Sequence, residues 1–251
     1  MFGTESNASW ERFGKHDPYF GVWTEDRMRN AGASGPERDE FFASGGEHLQ
    51  DVFSQIRSSL APTFAPRRAL DIGCGVGRVA IPLARLCDEV VGADISLGML
   101  DEARRNCEAA EVTNVTLIES DDNLSRATGE FDFIHSFIVL QHIPPSRGEQ
   151  IIQAIAGKLA DDGVGAVHVL FASKRPRWHL ALKTARRRVP FVNPLINALR
   201  GQAPTYPLIQ MNQYNMNRLF ELLWDNGFTR VVCTFINHDG YLGVMIYFRK
   251  D

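Results

Sequence analysis

Cysteine is scarce and poorly spaced. The four cysteines, at positions 74, 87, 107 and 233, form no Cys-x-x-Cys pair. That spacing argues against a zinc ribbon or a disulfide framework and makes a reducing cytoplasm the expected home. No apolar run approaches the ~20 residues of a membrane-spanning helix. The start, MFGTESNASWERFGKHDP, has no apolar stretch behind a basic end, so no signal peptide is expected. His-Glu-x-x-His and paired-carboxylate ligand sets are missing, and no metal is expected. There is no internal repeat. Acidic residues are absent from Gly163 to Phe220, a stretch that holds nine Lys and Arg. The formal net charge of -3 therefore conceals a +9 segment on a chain otherwise at -12. Such asymmetry points to an anionic partner, unless the charges only solvate a helix face.

What is present suits one large globular domain with an appended cap: 251 residues, 44% hydrophobic and 23% charged. Residues 1–65 read as an N-terminal helical cap rich in early aromatics (Trp10, Phe13, Tyr19, Phe20, Trp23). A helix begins after Ser34 or Gly35, at Pro36. It carries His48, Val52, Ile56 and Leu60 on one face and ends before Pro62. From residue 66 short apolar runs alternate with helical stretches. ALDIG, EVVGAD, VTLIE, FDFIHSF and GVGAVHVLF are apolar on both parities, as buried parallel strands are. Alternation of this kind predicts a doubly wound α/β sheet over 66–251. FTRVVCTFI and YLGVMIYFR are separated only by NHDG, too short for a crossover, so they should pair antiparallel. Between the fifth strand and the last helix, residues 173–210 form a basic insertion broken by prolines, expected to be a loop-rich lid at the carboxyl edge.

The chemistry begins at Asp71-Ile-Gly73-Cys-Gly75-Val-Gly77, where a strand gives way to a helix. Glycines there permit a sharp turn and close approach of a ligand to the main chain. The following helix would offer free N–H groups to an anion. Gly75-x-Gly77-x-x-Ala80 also satisfies a dinucleotide fingerprint, which keeps an NAD-dependent oxidoreductase as an alternative. Asp94, closing the second strand, would hold ribose hydroxyls in either case.

Taken together these runs resemble the class I S-adenosylmethionine-dependent methyltransferases. ALDIGCGVGRVAIPLA is similar to their first motif, VVGADIS to the second and VTLIESDD to the third. FDFIHSFIVLQHIPP is similar to the fourth strand and its sequel. The resemblance covers about 66–172 and 211–251. It implies a seven-stranded sheet of order 3-2-1-4-5-7-6 with an antiparallel last strand, and S-adenosylmethionine across the carboxyl ends of strands one and two. Gly73, Cys74 and Gly75 would pass beneath the cofactor, beside Gly77 and Arg78. Asp71 would help hold its amino end and Asp94 its ribose, with Ile95 and Met99 nearby. Asp121, Asp122 or Asn123 would meet the adenine. Phe137 and Gln141 would line the methionine side.

Two histidines at the carboxyl edge, His142 and His238, are the candidate bases for a hydroxyl acceptor. Each also has a plain structural role as an alternative. His135 and His168 fall inside strands and read as core histidines. Tyr19, Trp23, Arg177 and Tyr214 are candidate acceptor contacts. The expected activity is O-methylation of a small metabolite or saccharide, with phosphate or carboxylate on the acceptor favoured by the basic insertion. A nucleic-acid methyltransferase is a further alternative, although basic and aromatic residues interleave too thinly for a stable nucleic-acid complex. FVNPLINALRG beside basic residues suggests peripheral membrane contact through 174–200.

Overall fold

The computed structural model describes residues 2–30, 35–204, 206–238 and 240–250, without the side chains of 2–5, 29–30, 177, 180–181, 183, 187–188 and 238. Arg177 and His238 therefore lie, as side chains, outside the described residues, as does Ser34.

Seven strands build one sheet of order β3-β2-β1-β4-β5-β7-β6. They are β1 (Arg68–Ile72), β2 (Glu89–Asp94), β3 (Val115–Glu119), β4 (Phe131–Ser136), β5 (Leu159–Ser173), β6 (Arg230–His238) and β7 (Tyr241–Arg249). The first five run parallel, and β7 lies antiparallel between β5 and β6. The order and the antiparallel hairpin are those expected. Strand β5 is longer than its GVGAVHVLF core, because Leu159 already pairs with Phe131 before a register shift.

Helices cover both faces. On one side lie α3 (Pro36–Ser59), α4 (Ala80–Ala84) and α5 (Leu97–Ala109), packed on Leu70's neighbours Ala69, Val90 and Phe133. On the other, α6 (Pro145–Ala156) and α9 (Met216–Asp225) bury Ile151, Ile155, Leu219 and Leu223 against Ile134, Val167 and Ile246. Helix boundaries follow local chemistry. Pro36 opens α3, where its missing N–H costs nothing. Ser96 accepts the Met99 N–H to cap α5, and Asn215 accepts the N–H groups of Asn217 and Arg218 to cap α9.

The N-terminal helices α1 (Phe2–His16) and α2 (Pro18–Val22) form a third cluster, with Phe13, Tyr19 and Phe20 packed on Phe41, Val76 and Met99. Helices α1 and α5 meet glycine to glycine: a Cβ on Gly14 would stand 2.7 Å from the Met99 nitrogen, and one on Gly98 2.8 Å from the Gly14 carbonyl carbon. Glu11 completes the joint by accepting from Ser96 Oγ (2.9 Å) and Gly98 N (3.2 Å).

Two expectations need correction. The helix after the glycine loop, expected from the run RVAIPLARLC, is only five residues, Ala80–Ala84, with Pro82 inside it. The insertion is not loop-rich: it folds as α7 (Arg177–Arg188) and α8 (Val192–Leu199), joined at Phe191. Pro176 immediately precedes α7, and Pro194 sits in the first turn of α8, where prolines are tolerated.

Candidate active site

The carboxyl ends of β1, β2 and β4 open onto a cavity of about 650 Å3. Gly73 and Gly75 form its floor with positive φ of 72° and 53°. Side chains there would collide: a Cβ on Gly73 would lie 2.3 Å from Val139 Cγ2, and one on Gly75 2.8 Å from Val22 Cγ2. Asp94 closes β2 and is buried. Its Oδ2 accepts from Gly75 N and its Oδ1 from Ser96 N, both at 2.9 Å. Burial pushes its carboxyl up to about 6, against the lowering effect of those two N–H groups. Ile95 and Met99 line the cavity beside it.

Opposite stands the segment after β4, with Phe137, Gln141 and His142. His142 Nδ1 lies 2.7 Å from the Gln210 carbonyl, so Nδ1 carries the proton and Nε2 is the acceptor. The Gln141 amide nitrogen lies 3.2 Å from that Nε2. Gln141 Oε1 is buried and has no donor among the described residues. Trp10 of α1 covers the imidazole at a centroid distance of 4.9 Å. Ser6 Oγ donates to the His142 carbonyl at 3.1 Å.

Residues 209–214 hold this segment from behind. Asn212 N donates to the Gln141 carbonyl at 2.6 Å. The Tyr214 hydroxyl reaches the carbonyls of Leu140 and Ile143, at 2.8 and 3.0 Å. Tyr214 is therefore a buried brace, not an acceptor contact. Tyr19 is likewise buried, its hydroxyl 2.7 Å from Glu102 Oε1 and 2.9 Å from Asn106 Oδ1. Trp23 does line the cavity.

Asp71, Cys74 and Gly77 do not. Asp71 is buried and bonded to His135, and Cys74 is sealed in the core, where burial pushes its thiol up. Asp121 lines the cavity, but its carboxylate caps its own turn, accepting from Asn123 N at 2.9 Å and Ser125 N at 3.0 Å. Asp122 forms a bidentate pair with Arg147, at 2.6 and 2.8 Å. Asn123 lies off the wall. Arg78 sits in the wall and donates to Ser44 Oγ at 3.3 Å, with no carboxylate partner among the described residues. Burial lowers its pKa, and the field of Asp71 acts the other way.

Ser6, Asn7, Trp10, Arg147, Ile209 and Met211 also line the wall, and no sequence motif marks any of them. Early aromatic density around Trp10 was the one visible signal. Among the described residues of the insertion, only Ile209 reaches the cavity, and none of α7 or α8 does. No group of three or more His, Cys, Asp or Glu able to hold a metal gathers among the described residues.

The residues present fit S-adenosylmethionine. A buried acceptor without a donor (Gln141 Oε1), a guanidinium without a carboxylate (Arg78) and a carboxylate at the end of β2 (Asp94) match an ammonium, a carboxylate and ribose hydroxyls. The dinucleotide alternative is not supported: a pyrophosphate needs the N-terminus of a substantial helix, and α4 is a single short turn.

Comparison with known proteins agrees. Residues 69–163 match a methyltransferase-domain family model. A ubiquinone biosynthesis O-methyltransferase of Ruegeria pomeroyi is 39% identical over 80 residues, 32% of this chain and 32% of that one. A 23S rRNA (uracil-C5)-methyltransferase of Pseudomonas entomophila is 30% identical over 125 residues, 50% of this chain and 26% of that one. The chain thus spans about a third and a quarter of the lengths of these relatives. Magnesium protoporphyrin IX methyltransferase from Synechocystis, crystallised with S-adenosylhomocysteine, shares the fold with a TM-score of 0.59 at 24% identity, over 94% of this chain and 98% of that one. Residues 69–163 thus match a methyltransferase domain, and the sheet built around them shares its fold with that S-adenosylhomocysteine-bound methyltransferase.

Proposed function

We propose that the chain methylates an oxygen of a small, largely apolar, ring-bearing acceptor, with S-adenosylmethionine as donor and His142 as base. The observation that carries this is the convergence of Asp94 and His142 on one cavity, from strands on either side of β1. Asp94 would take the ribose hydroxyls, Arg78 the carboxylate and Gln141 Oε1 the ammonium of the donor. When bound, the donor supplies an electrophilic sulfonium methyl group. His142 Nε2 would accept the proton of the acceptor hydroxyl, its ring held by the Gln210 carbonyl and by Trp10. Helices α1 and α2 and the turn after them would cap the acceptor end, with Trp10 and Trp23 excluding water from it, whereas α3 belongs to the layer on the sheet.

The acceptor is inferred from the wall. Trp10, Val22, Trp23, Ile143, Ile209 and Met211 offer apolar surface to a flat ring. A saccharide would leave its hydroxyls facing these groups unpaired. The ubiquinone-biosynthesis and magnesium-protoporphyrin names of relatives support a ring-bearing acceptor. The relatives also include an rRNA (uracil-C5)-methyltransferase, so their names agree on methyl transfer more closely than on the acceptor. The test has two arms. S-adenosylhomocysteine should protect the protein from thermal unfolding and NAD(H) should not. Labelled methyl transfer should then favour hydroxyl-bearing aromatics over free saccharides. Protection by NAD(H) instead would defeat the donor, and preferential labelling of saccharides would defeat the acceptor.

A further inference from the structure

Helix α8 is mounted inside out. Its asparagines face the protein: Asn197 is fully buried and donates to the carbonyls of Pro204 (3.1 Å) and Tyr206 (2.9 Å). Arg186 of α7 donates to Asn193 Oδ1 at 2.9 Å and to Asn197 Oδ1 at 2.8 Å, fastening one helix to the other. Val192 and Ile196 are half-buried, but the other large apolar residues of α8, with Phe191 at its N-cap, face away. Phe191, Leu195 and Leu199, spaced four apart, are 81%, 61% and 79% exposed. Residues at that spacing form one stripe along a helix. Val189 and Trp178 extend the apolar exposure onto α7 and the joint. A surface helix in water ordinarily turns its polar side outward, and here polar bonds anchor the helix while its apolar stripe is presented to the surroundings.

We propose that this stripe docks the protein on an anionic lipid surface, α8 lying in the interface and the basic segment meeting the head groups. Charge selects this occupant. The stripe lies in the only long acid-free stretch, with nine basic residues from Lys174 to Arg218, of which Arg186 is engaged with α8 and Arg218, on α9, pairs with Glu149 and Glu221. Lys174 and Arg200 are exposed, the latter directly beyond Leu199. A second copy of this chain would bring a like-charged face against it, and a nucleic acid would have no use for an apolar stripe. No helix among the described residues is long and apolar enough to cross a membrane, so contact would be peripheral. The insertion leaves β5 at its carboxyl end, the edge on which the cavity opens. Docking there would bring the cavity near a lipid phase, where apolar acceptors partition. The docking itself rests on the stripe and the charge, and holds whether or not methyl transfer occurs.

Flotation of the full chain with vesicles tests it. Vesicles of phosphatidylcholine with 30% phosphatidylglycerol, roughly the range in which anionic lipid draws basic segments, should carry the protein. Pure phosphatidylcholine should carry at least tenfold less, and high salt should weaken the first interaction. Phe191→Gln, Leu195→Gln and Leu199→Gln together should reduce binding at least tenfold with the melting temperature unchanged, because these side chains are exposed. As a measurement needing no altered stripe, emission of Trp178 should be quenched by brominated acyl chains, a signal lost in Trp178→Phe. Failure to float with anionic vesicles overturns the proposal. So does undiminished flotation of the triple variant together with absence of quenching, which would leave only charge attraction. A concentration-dependent dimer abolished by the triple variant would assign the stripe to self-association instead. None of these readouts requires methyl transfer, so failure here and failure of the proposed activity are distinguishable.

Discussion

His135 Nδ1 stands 2.8 Å from Asp71 Oδ1, and both side chains are buried. The other ring nitrogen, Nε2, lies 2.9 Å from His48 Nε2 on α3. A carboxylate can only accept, so Nδ1 carries the His135 proton and Nε2 accepts from His48. His48 suits that role as a neutral donor, because burial, with help from His135 and Arg78, pushes it down to about 2. Its ring stacks on Phe137 at 4.0 Å, so the chain of bonds runs from the end of β1 through β4 to the cavity wall.

Asp71 thus bonds His135 and lies off the cavity wall, whereas the family resemblance implies a contact with the donor's amino end. Asp71→Asn should lower stability by about 1.5–3 kcal/mol, the value of a hydrogen bond to a charged group. The affinity for S-adenosylhomocysteine should stay within a few-fold of the parent. Denaturant unfolding and calorimetry check the two parts. A large loss of affinity at unchanged stability would restore the contact with the donor.

Asp94 gives a pH dependence with a definite sign. Its carboxyl is raised to about 6 by burial, so below that pH it is protonated and above it ionised. Donated ribose hydroxyl bonds are stronger to the ionised form. S-adenosylhomocysteine should bind progressively more tightly from pH 5 to pH 7 and level off above. Asp94→Ala should weaken binding by about 1.5–3 kcal/mol per lost bond and remove the step. Calorimetric titration at several pH values decides; an unchanged affinity in Asp94→Ala would refute the ribose site.

What could be read beforehand was local. The glycine loop and Asp94 are strand ends and turns, set by consecutive residues, and the NHDG link forces β6 and β7 to pair. Contacts between distant segments were not legible. Ser6 and Trp10 meet His142 across more than half the chain, and Gln210 fixes that imidazole from a segment with no motif. Tyr19 and Tyr214 have the composition of an acceptor wall, yet buried polar partners claim their hydroxyls. In α8 the periodicity showed two faces but not which one would turn inward.

His142 and Tyr214 should separate in kinetics. His142→Ala should slow methyl transfer by ~10²–10⁴-fold, the usual cost of losing a general base, with donor affinity intact. Tyr214→Phe removes only the brace on Leu140 and Ile143, so it should lower kcat by a smaller factor, again with donor affinity intact. The pH–rate profile should lose its acid-side fall, the one that protonation of a general base causes, in His142→Ala and keep it in Tyr214→Phe. The same substitution at His238 ranks the two histidines. A His142→Ala rate within a few-fold of the parent would make alignment alone the source of rate.

The crossing of α1 and α5 should be intolerant of side chains. A Cβ on Gly14 would lie 2.3 Å from Ser96 Oγ and 2.7 Å from the backbone nitrogen of Met99. The hydroxyl can turn away, but the helix backbone cannot without moving Ser96, which caps α5 and binds Asp94 through its own N–H. Gly14→Val should therefore lift α1 off the domain instead of deforming the sheet. The overpacking costs about 1–3 kcal/mol, comparable to what a single helix joint supplies. Three consequences follow from where α1 sits. Trp10 leaves the His142 ring, Ser6 releases the His142 carbonyl, and the cavity loses one wall. Limited proteolysis should cut the first 16 residues much faster than in the parent, and the remaining fragment should keep the circular dichroism of the sheet domain. Binding of S-adenosylhomocysteine should weaken modestly, since Asp94, Arg78 and Gln141 stay in place, whereas turnover of an apolar acceptor should fall steeply. Equal protease resistance in Gly14→Val and the parent would mean that the joint accommodates a side chain, and that α1 is held by contacts other than the glycine crossing.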